Sequence, residues 1–179
     1  MIDIDNIFSE FYAGNRKLLE TVLTHSECVA RKALDCAERR DLDVDRGFVY
    51  EAAMLHDVGV VRCDAPSIFC YGCRPYICHG IEGREMLDKL GLPRHALVCE
   101  RHTGSGLSRE DIIRQNLPLP HRDMLPISME EKLICYADKF FSKSGNLTEE
   151  KPLEKVTRQM AAFGEDSLSR YLQLHKLFG

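Results

Sequence analysis

The sequence of 179 residues predicts an all-α protein, and three observations support this fold class. Apolar residues recur at intervals of three and four positions, as on one face of a helix. The alternating pattern of a half-buried strand is nearly absent. Serine or threonine followed three residues later by an acidic residue marks several helix starts. Because no repeat, low-complexity segment or long linker divides the chain, we expect a single domain over residues 1–179.

The composition predicts a soluble, globular chain. Hydrophobic residues make up 44% and charged residues 29% of it. No run of 18 apolar residues occurs, so no transmembrane helix is expected. The acidic N-terminus lacks the basic start and apolar stretch of a signal peptide, which predicts a cytoplasmic location. The net charge of −4 does not favour broad nucleic-acid binding, and we expect neither a nucleic-acid nor a membrane partner.

The eight cysteines are expected to be reduced thiols. A disulfide framework is typical of small secreted proteins, and this sequence shows no export signal. Half of the cysteines lie singly on helix-like segments as small apolar residues: Cys28, Cys36, Cys99 and Cys135.

The first half of the chain predicts three helices. One covers about 6–23, and a second begins at Thr24, where Thr24 to Glu27 resembles a capping box, and runs to about Arg40. A continuous helix from Arg16 fits the pattern equally well. Asp45 can cap a third helix that ends near His56.

An irregular loop over 59–78 separates these helices from the second half. Helices are then expected from Gly80 to Leu90, from Pro93 to about His102, and briefly after Ser108. A proline-rich loop precedes a second capping box at Ser128, which opens a helix to about Phe141. One or two further helices cover about 150–178, with a break expected at Gly164.

Several ionisable residues lie on the apolar faces of these helices. In "EAAMLHDVG", His56 continues a stripe formed by Val49, Ala52 and Ala53, and Asp57 follows it directly. The apolar faces of other predicted helices carry His25, His102 and Asp138 in the same way.

A buried, unpaired aspartate is costly, and each histidine taken singly is more often a hydrogen-bonded core residue than a ligand. Taken together, four histidines and two aspartates at helix ends or inward faces favour one shared explanation. One or two divalent cations would compensate all of them, and imidazole with carboxylate ligation suits zinc, iron, manganese or nickel.

The ordered residues His25, His56-Asp57, His79, His102 and Asp138 resemble the HD superfamily of metal-dependent phosphohydrolases. The similarity is to the branch with two extra histidines between the HD pair and the final aspartate. It extends over "MLHDVG", "HGIEGREMLDKLGLP", "ERHTGSG" and "ISMEEKLICYADKF" and covers a core of about 15–143. The remaining residues, about 148–178, would form a C-terminal helical extension.

The resemblance implies an HD-like helical bundle with a central site for one or two divalent metal ions, with iron, manganese or zinc expected. One metal would be held by His25, His56, Asp57 and Asp138, and a second by His79 and His102. Asp57 would bridge the two. Independently of the resemblance, adjacent residues at a helix end diverge by about 100°, which suits ligation of two ions.

The implied activity is cleavage of a nucleotide or another small phosphate ester by metal-activated hydroxide. Asp57 and two nearby cations, Lys139 and Arg62, are the catalytic candidates, and Arg74 and Arg101 are further substrate contacts. Arg62 is included because Val60 stands where family members often carry a lysine after their "HDIG". The partner would be a small phosphorylated substrate, and the C-terminal tail either packs on the bundle or forms a homodimer contact.

The loop before His79 is longer than usual for the family and rich in cysteine. Cys63, Cys70, Cys73 and Cys78 allow a structural zinc site, but the C-x2-C pair lacks a matching second pair. The favoured interpretation is a loop with small cysteines packed beneath it, in which Tyr71, Arg74 and Tyr76 could line a substrate pocket. Three further histidines, His95, His121 and His175, are interpreted as surface or packing residues.

Two other functions use the same residues. Some proteins of this fold are di-iron oxygenases, which would need the same six ligands. A non-catalytic, metal-stabilised binding module is the third hypothesis, and the complete ligand set argues against it.

Overall fold

A computed structural model of the chain describes residues 2–179, and over this range it confirms the all-α prediction. Nine α-helices accompany one small sheet in the described range. The helices are α1 (Ile4–Phe11), α2 (Arg16–Arg39), α3 (Arg46–Leu55), α4 (His79–Lys89), α5 (Pro93–Arg101), α6 (Arg109–Arg114), α7 (Met129–Asp138), α8 (Leu153–Ala162) and α9 (Glu165–Phe178).

The first two helices divide the chain differently from the primary expectation. The prediction of one helix over 6–23 is wrong, because a turn containing Gly14, whose φ is +90°, separates α1 from α2. Helix α2 starts after Asn15. The Asn15 side chain caps α2 by accepting a hydrogen bond from the Leu18 amide. Thr24 therefore lies inside a continuous helix, where the preceding turn already satisfies the backbone. The alternative helix from Arg16 is the one observed, and it is roughly 36 Å long at 1.5 Å per residue.

The segment 59–78 is more ordered than the sequence predicts. It contains 3₁₀ turns and three short strands: β1 (Cys63–Ala65), β2 (Cys70–Tyr71) and β3 (Arg74–Pro75). The central β1 pairs antiparallel with β2, where Ala65 is opposite Cys70, and parallel with β3. Strands of two or three residues are too short to produce a visible alternation, which is why the sequence did not reveal them.

The later helix caps agree with the sequence in part. Ser108 and Asp111 form a complete capping box at the start of α6. At α7 the Ser128 hydroxyl accepts from the Glu131 amide, but the Glu131 carboxylate accepts from the Ile127 amide instead of completing the box. Helix α7 also ends at Asp138 and not at Phe141, because the chain tightens there into bonds between residues three positions apart.

The helices enclose two apolar clusters with the centre of α2 between them. The larger cluster joins α2, α3 and α7 to the C-terminal helices and includes Val29, Ala52, Ile134 and Tyr171. The second joins α1, α4 and α5 to the start of α2. In this structure the C-terminal tail thus packs on the bundle. No helix within residues 2–179 combines the length and apolarity required to cross a membrane.

Two glycines allow α4 to lie directly against its neighbours. A Cβ atom on Gly59 would fall 2.2 Å from the His79 carbonyl oxygen and 2.2 Å from the Gly83 amide nitrogen. A Cβ atom on Gly80 would fall 2.7 Å from the Cys99 carbonyl oxygen. Backbone therefore packs on backbone at both places, and this close approach positions the first turn of α4 beside the segment after α3 and beside α5.

Candidate metal centre

The six residues of the predicted ligand set lie in, or directly after, five different helices. His25 lies near the middle of α2, His79 is the first residue of α4, and Asp138 is the last residue of α7. His56 caps the C-terminus of α3 and is followed by Asp57, and His102 caps the C-terminus of α5. All six side chains are buried. Four of the five helices contribute a residue at a terminus, so the helix ends converge on one point in the bundle.

One group of ligand atoms lies around the Oδ2 atom of Asp57. The Nε2 atom of His25 lies 2.9 Å from Asp138 Oδ1 and 3.3 Å from Asp57 Oδ2. The Nε2 atom of His56 lies 3.1 Å from Asp57 Oδ2 and 3.5 Å from Asp138 Oδ1. Two imidazoles and two carboxylates thus direct one donor atom each into a common space, within 4.8 Å of one another.

A second group shares Asp57 through its other oxygen. His79 Nε2 and His102 Nε2 each lie 3.5 Å from Asp57 Oδ1, and they are 3.0 Å from one another. Asp57 is therefore the one residue common to both groups. The structure brings together all six residues in the arrangement that the family resemblance implies.

The hydrogen bonds of three histidines fix which ring nitrogen faces the cluster. The Nδ1 atoms of His56, His79 and His102 lie 2.6, 2.7 and 2.8 Å from the backbone carbonyls three residues earlier. Because a carbonyl oxygen only accepts, each Nδ1 carries the proton and donates it. In a neutral ring, Nε2 then presents a lone pair to the cluster, which is the tautomer of a metal-ligating histidine.

The donor set fits a divalent cation on this structural test. Two lone pairs facing each other at 3.0 Å, on His79 and His102, repel unless a cation or proton lies between them. The buried Asp57 Oδ1 atom receives no hydrogen bond. A divalent cation would satisfy these atoms together, and nitrogen with carboxylate oxygen is a donor set that transition-metal ions favour.

The pKa shifts of the cluster residues result from their burial and from the charges of their neighbours. Burial alone would raise the pKa of Asp57, but the charges of His56 and Lys143 hold it well below its usual value. Burial likewise opposes the shift of His56, yet Asp57 and Asp138 raise its pKa to about 9. Burial lowers the pKa of His25 to about 4 and that of His79 to about 3. Carboxylates stay charged here while most imidazoles stay neutral, as metal ligands must.

Two lysines adjoin the cluster. Lys139 donates to the His102 carbonyl oxygen over 3.0 Å and to the Asp138 carboxylate. Lys143 places its Nζ atom 2.6 Å from Asp57 Oδ2, and sequence reasoning did not select it. The signal was weak, because Lys143 lies five residues after Asp138 and beyond the end of α7, where a helical register no longer predicts direction.

The three candidate arginines are engaged by buried glutamates. Arg62 lies 3.1 Å from Glu82, and Arg74 lies 2.8 Å from the same carboxylate. Arg101 contacts both carboxylate oxygens of Glu131, at 3.1 and 3.0 Å. None of the three arginines lines the cavity that opens beside the cluster.

A cavity of about 350 Å³ opens beside the second ligand group. Its lining includes three ligand residues and two lysines: His79, His102, Asp138, Lys139 and Lys143. The Tyr76 ring also lines it and stacks on the His79 imidazole, with 4.9 Å between ring centroids. Burial raises the pKa of Tyr76 to about 12, so its phenol keeps its proton at neutral pH. Tyr71, by contrast, is exposed and lies outside the cavity.

The cysteine-rich loop forms no metal-binding group among residues 2–179, where the two His/Asp groups are the ones found. Cys63, Cys70 and Cys78 are buried, whereas Cys73 is exposed. All eight cysteines, which fall within the described range, are unpaired. The loop agrees with the favoured interpretation of small cysteines packed beneath it.

The remaining histidines lie outside the cluster. His95 is buried and places its Nε2 atom 3.4 Å from Glu51, with its ring edge against Phe48. The Nδ1 atom of His175 is hydrogen-bonded to the Tyr136 hydroxyl oxygen at 2.9 Å. His121 is exposed.

The helical bundle and its buried cluster of four histidines and two aspartates place this chain among helical proteins with a His/Asp metal site. The model of the HD domain family matches residues 22–142, well over half of the chain. The chain belongs to the HD domain family.

Three relatives show how this domain occurs elsewhere. The uncharacterised protein MJ0778 of Methanocaldococcus jannaschii is 35% identical over 123 residues, which cover 66% of this chain and 65% of that protein. Two proteins named tRNA (cytidine(56)-2′-O)-methyltransferase are 28% identical, in Picrophilus torridus, and 26% identical, in Thermoplasma volcanium. They match 88% and 87% of this chain, which spans only 41% of either protein. No solved structure matches the chain significantly.

Proposed function

We propose that the chain is a metal-dependent phosphohydrolase that cleaves a small phosphate ester, with nucleotides among the candidate substrates. The observation that carries the proposal is the pair of ligand groups that share Asp57 beside a cavity lined by two lysines. When bound, two divalent cations in such a site supply an activated water and offset charge on phosphate oxygens. Membership of the HD domain family supports the same chemistry.

The protein's own groups would bind and orient the phosphate. Lys139 and Lys143 line the cavity next to the cluster, so their ammonium groups can donate to non-bridging phosphate oxygens. The carbonyl of His102 and the carboxylate of Asp138 hold Lys139 in place. Tyr76 lines the same space and can donate a hydrogen bond from its neutral phenol. Binding between these donors would align the ester for attack and exclude bulk water.

The cysteines bear on the cellular location of the protein, and the relatives and the ligand set bear on its alternative functions. Eight unpaired cysteines within the described range support a reducing, cytoplasmic location. Methyl transfer is not proposed, because the proteins that carry this name match the chain over only 41% of their length. The di-iron oxygenase alternative uses the same six ligands, so the ligand set does not separate it from hydrolysis.

The test is phosphate release with and without oxygen. Protein purified without a metal-affinity tag would be loaded with manganese, iron or zinc and assayed on a panel of small phosphate monoesters, in air and under argon. Hydrolysis predicts equal phosphate release in both atmospheres. Strict dependence on oxygen would favour the oxygenase, and no release from fully loaded protein would favour a binding module.

The matched control is Asp57→Asn against His121→Asn. Asp57 belongs to both ligand groups, whereas His121 is exposed in the proline-rich loop. Phosphate release should vanish in the first variant and persist in the second. Activity that survives Asp57→Asn would point to a contaminating phosphatase.

A further inference from the structure

The cavity beside the cluster is lined by both charged and apolar residues. Where it adjoins the cluster it is lined by His79, His102 and Asp138 together with Lys139 and Lys143. The only other cationic side chain among the described lining residues is Arg170, and the Asp111 carboxylate pairs with it. Arg170 also donates to the Gly106 carbonyl oxygen over 3.2 Å. Lys139 and Lys143 also contact carboxylates, those of Asp138 and Asp57, but both carboxylates belong to the ligand groups and would be neutralised by bound cations. The residues next to the cluster can then accept an anion, whereas the charge of Arg170 is already cancelled by Asp111.

The remaining lining of the cavity is mainly apolar. Ile77, Leu107 and Leu117 pack in one apolar cluster, and Met160 and Phe163 come from the end of α8. Met160 is buried, whereas 53% of Phe163 is exposed, although Phe163 lines the cavity. An apolar group bound in the cavity would cover the aromatic ring that solvent now reaches, which is energetically favourable.

Part of the apolar lining belongs to the C-terminal extension. Met160 lies in α8 and Phe163 caps its C-terminus, and both follow the matched family region 22–142. Ser167 and Arg170 of α9 also line the cavity. This lining is thus contributed by a part of the chain that lies outside the common domain, which is where selectivity peculiar to this chain would reside.

We propose that the substrate is a phosphate monoester of an apolar alcohol or phenol, whose apolar group lies against Phe163 and Met160 while its phosphate faces Lys139 and Lys143. The inference rests on the proposed function and specifies its substrate class. A volume of about 350 Å³ is at the lower end of ligand-binding cavities, so the apolar group is small, of the size of one aromatic ring or a short branched hydrocarbon.

Non-hydrolysable phosphonates test this inference without turnover. Phenylphosphonate, methylphosphonate and 2-hydroxyethylphosphonate would be titrated into metal-loaded protein by calorimetry. We expect phenylphosphonate to bind at least tenfold more tightly than either of the others. Phe163→Ala should remove most of that preference, because it removes the aromatic ring that the apolar group would cover, and leave the affinity for methylphosphonate nearly unchanged.

The matched control is Leu172→Ala. Leu172 belongs to the same C-terminal extension, is 46% exposed and does not line the cavity, so its truncation should preserve the phenyl preference. Equal affinity for the phenyl and hydroxyethyl compounds, a preference unaffected by Phe163→Ala, or no binding of any phosphonate would overturn the inference.

The two proposals fail separately in this design. Hydrolysis of phenyl and 2-hydroxyethyl phosphate at equal rates would leave the proposed function intact and exclude an apolar substrate. A phenyl preference in binding, with no phosphate released from any ester, would exclude the hydrolase and retain the apolar selectivity of the cavity.

Discussion

At the scale of single residues, the site depends on how each imidazole is oriented. Three of the four cluster histidines donate from Nδ1 to the carbonyl three residues earlier, which turns Nε2 inward without help from any other side chain. This is a local device that a histidine at a helix terminus can adopt by itself. It explains why helix ends, and not only helix faces, supply the ligands.

Lys143 is the residue whose role is most open to test. Its Nζ atom lies 2.6 Å from Asp57 Oδ2 and it lines the cavity. We expect Lys143→Met to lower kcat/KM for phosphate esters by roughly a hundredfold, as the loss of one preorganised donor to a developing charge does. Steady-state kinetics on metal-loaded protein measures this effect.

Lys155→Met is the control for Lys143→Met, because Lys155 is exposed on α8 and should leave the rate unchanged. Equal activity of the two variants would show that Lys143 does not contact the substrate. Metal content should be measured in both, so that a lost ion is not mistaken for a lost substrate contact.

At the scale of elements, the relative position of α3, α4 and α5 brings the second ligand group together. Gly59 allows backbone contact between the segment after α3 and the first turn of α4. Any side chain there would push His79 away from Asp57. The glycine is thus a positioning residue for a ligand that lies 20 positions later in the sequence.

Gly59→Ala should therefore damage both stability and the second ligand group. Its Cβ atom would lie 2.2 Å from two backbone atoms, and overpacking of this kind costs about 1–3 kcal/mol or more. We expect urea denaturation to show this loss of unfolding free energy, and metal analysis to show a deficit of about one ion per chain relative to the unsubstituted protein.

Gly47→Ala is the matched control in α3. The nearest atom to its added Cβ would be Asp45 Oδ1 at 3.3 Å, which accepts the capping hydrogen bond from the Phe48 amide and would need to shift by only a few tenths of an ångström. This substitution should leave metal content unchanged and stability within about 1 kcal/mol. A Gly59→Ala protein as stable and as metal-rich as the Gly47→Ala protein would contradict the positioning role.

Elements also show how far the sequence could predict the structure. The caps at Asp45 and Ser108 were predictable because a short polar side chain satisfies the first amides locally. Five of the six ligand residues were predictable because ionisable groups on or beside apolar faces need a common partner, whereas His79 was named only through the family resemblance. The sequence did not predict the roles of Lys143 and Gly59 or the three short strands. Their positions depend on contacts between distant segments that no local pattern records.

At the scale of the whole molecule, the cluster joins five helices across the two apolar clusters, so metal binding and folding should be coupled. An ion at a thousand times its dissociation constant adds about 4 kcal/mol of stability. For a chain of this size we expect a rise in Tm of roughly 8–16 °C on loading. Calorimetric melting with and without a chelator measures it.

Asp57→Ala should melt at the same temperature with or without metal, because it removes the residue common to both ligand groups. His121→Ala should retain the full metal-dependent shift. If the unsubstituted protein melts identically in both conditions, the cluster does not bind metal and the buried carboxylates are stabilised by the lysines alone.

The most direct test of the central claim is the number of metal ions bound per chain, measured by plasma mass spectrometry on protein purified without a metal-affinity tag. We predict about two equivalents in the unsubstituted protein and in His121→Ala, and about one in His79→Ala, because His79 belongs only to the second ligand group. No metal after reloading, or a content unaltered by His79→Ala, would contradict the shared centre on Asp57.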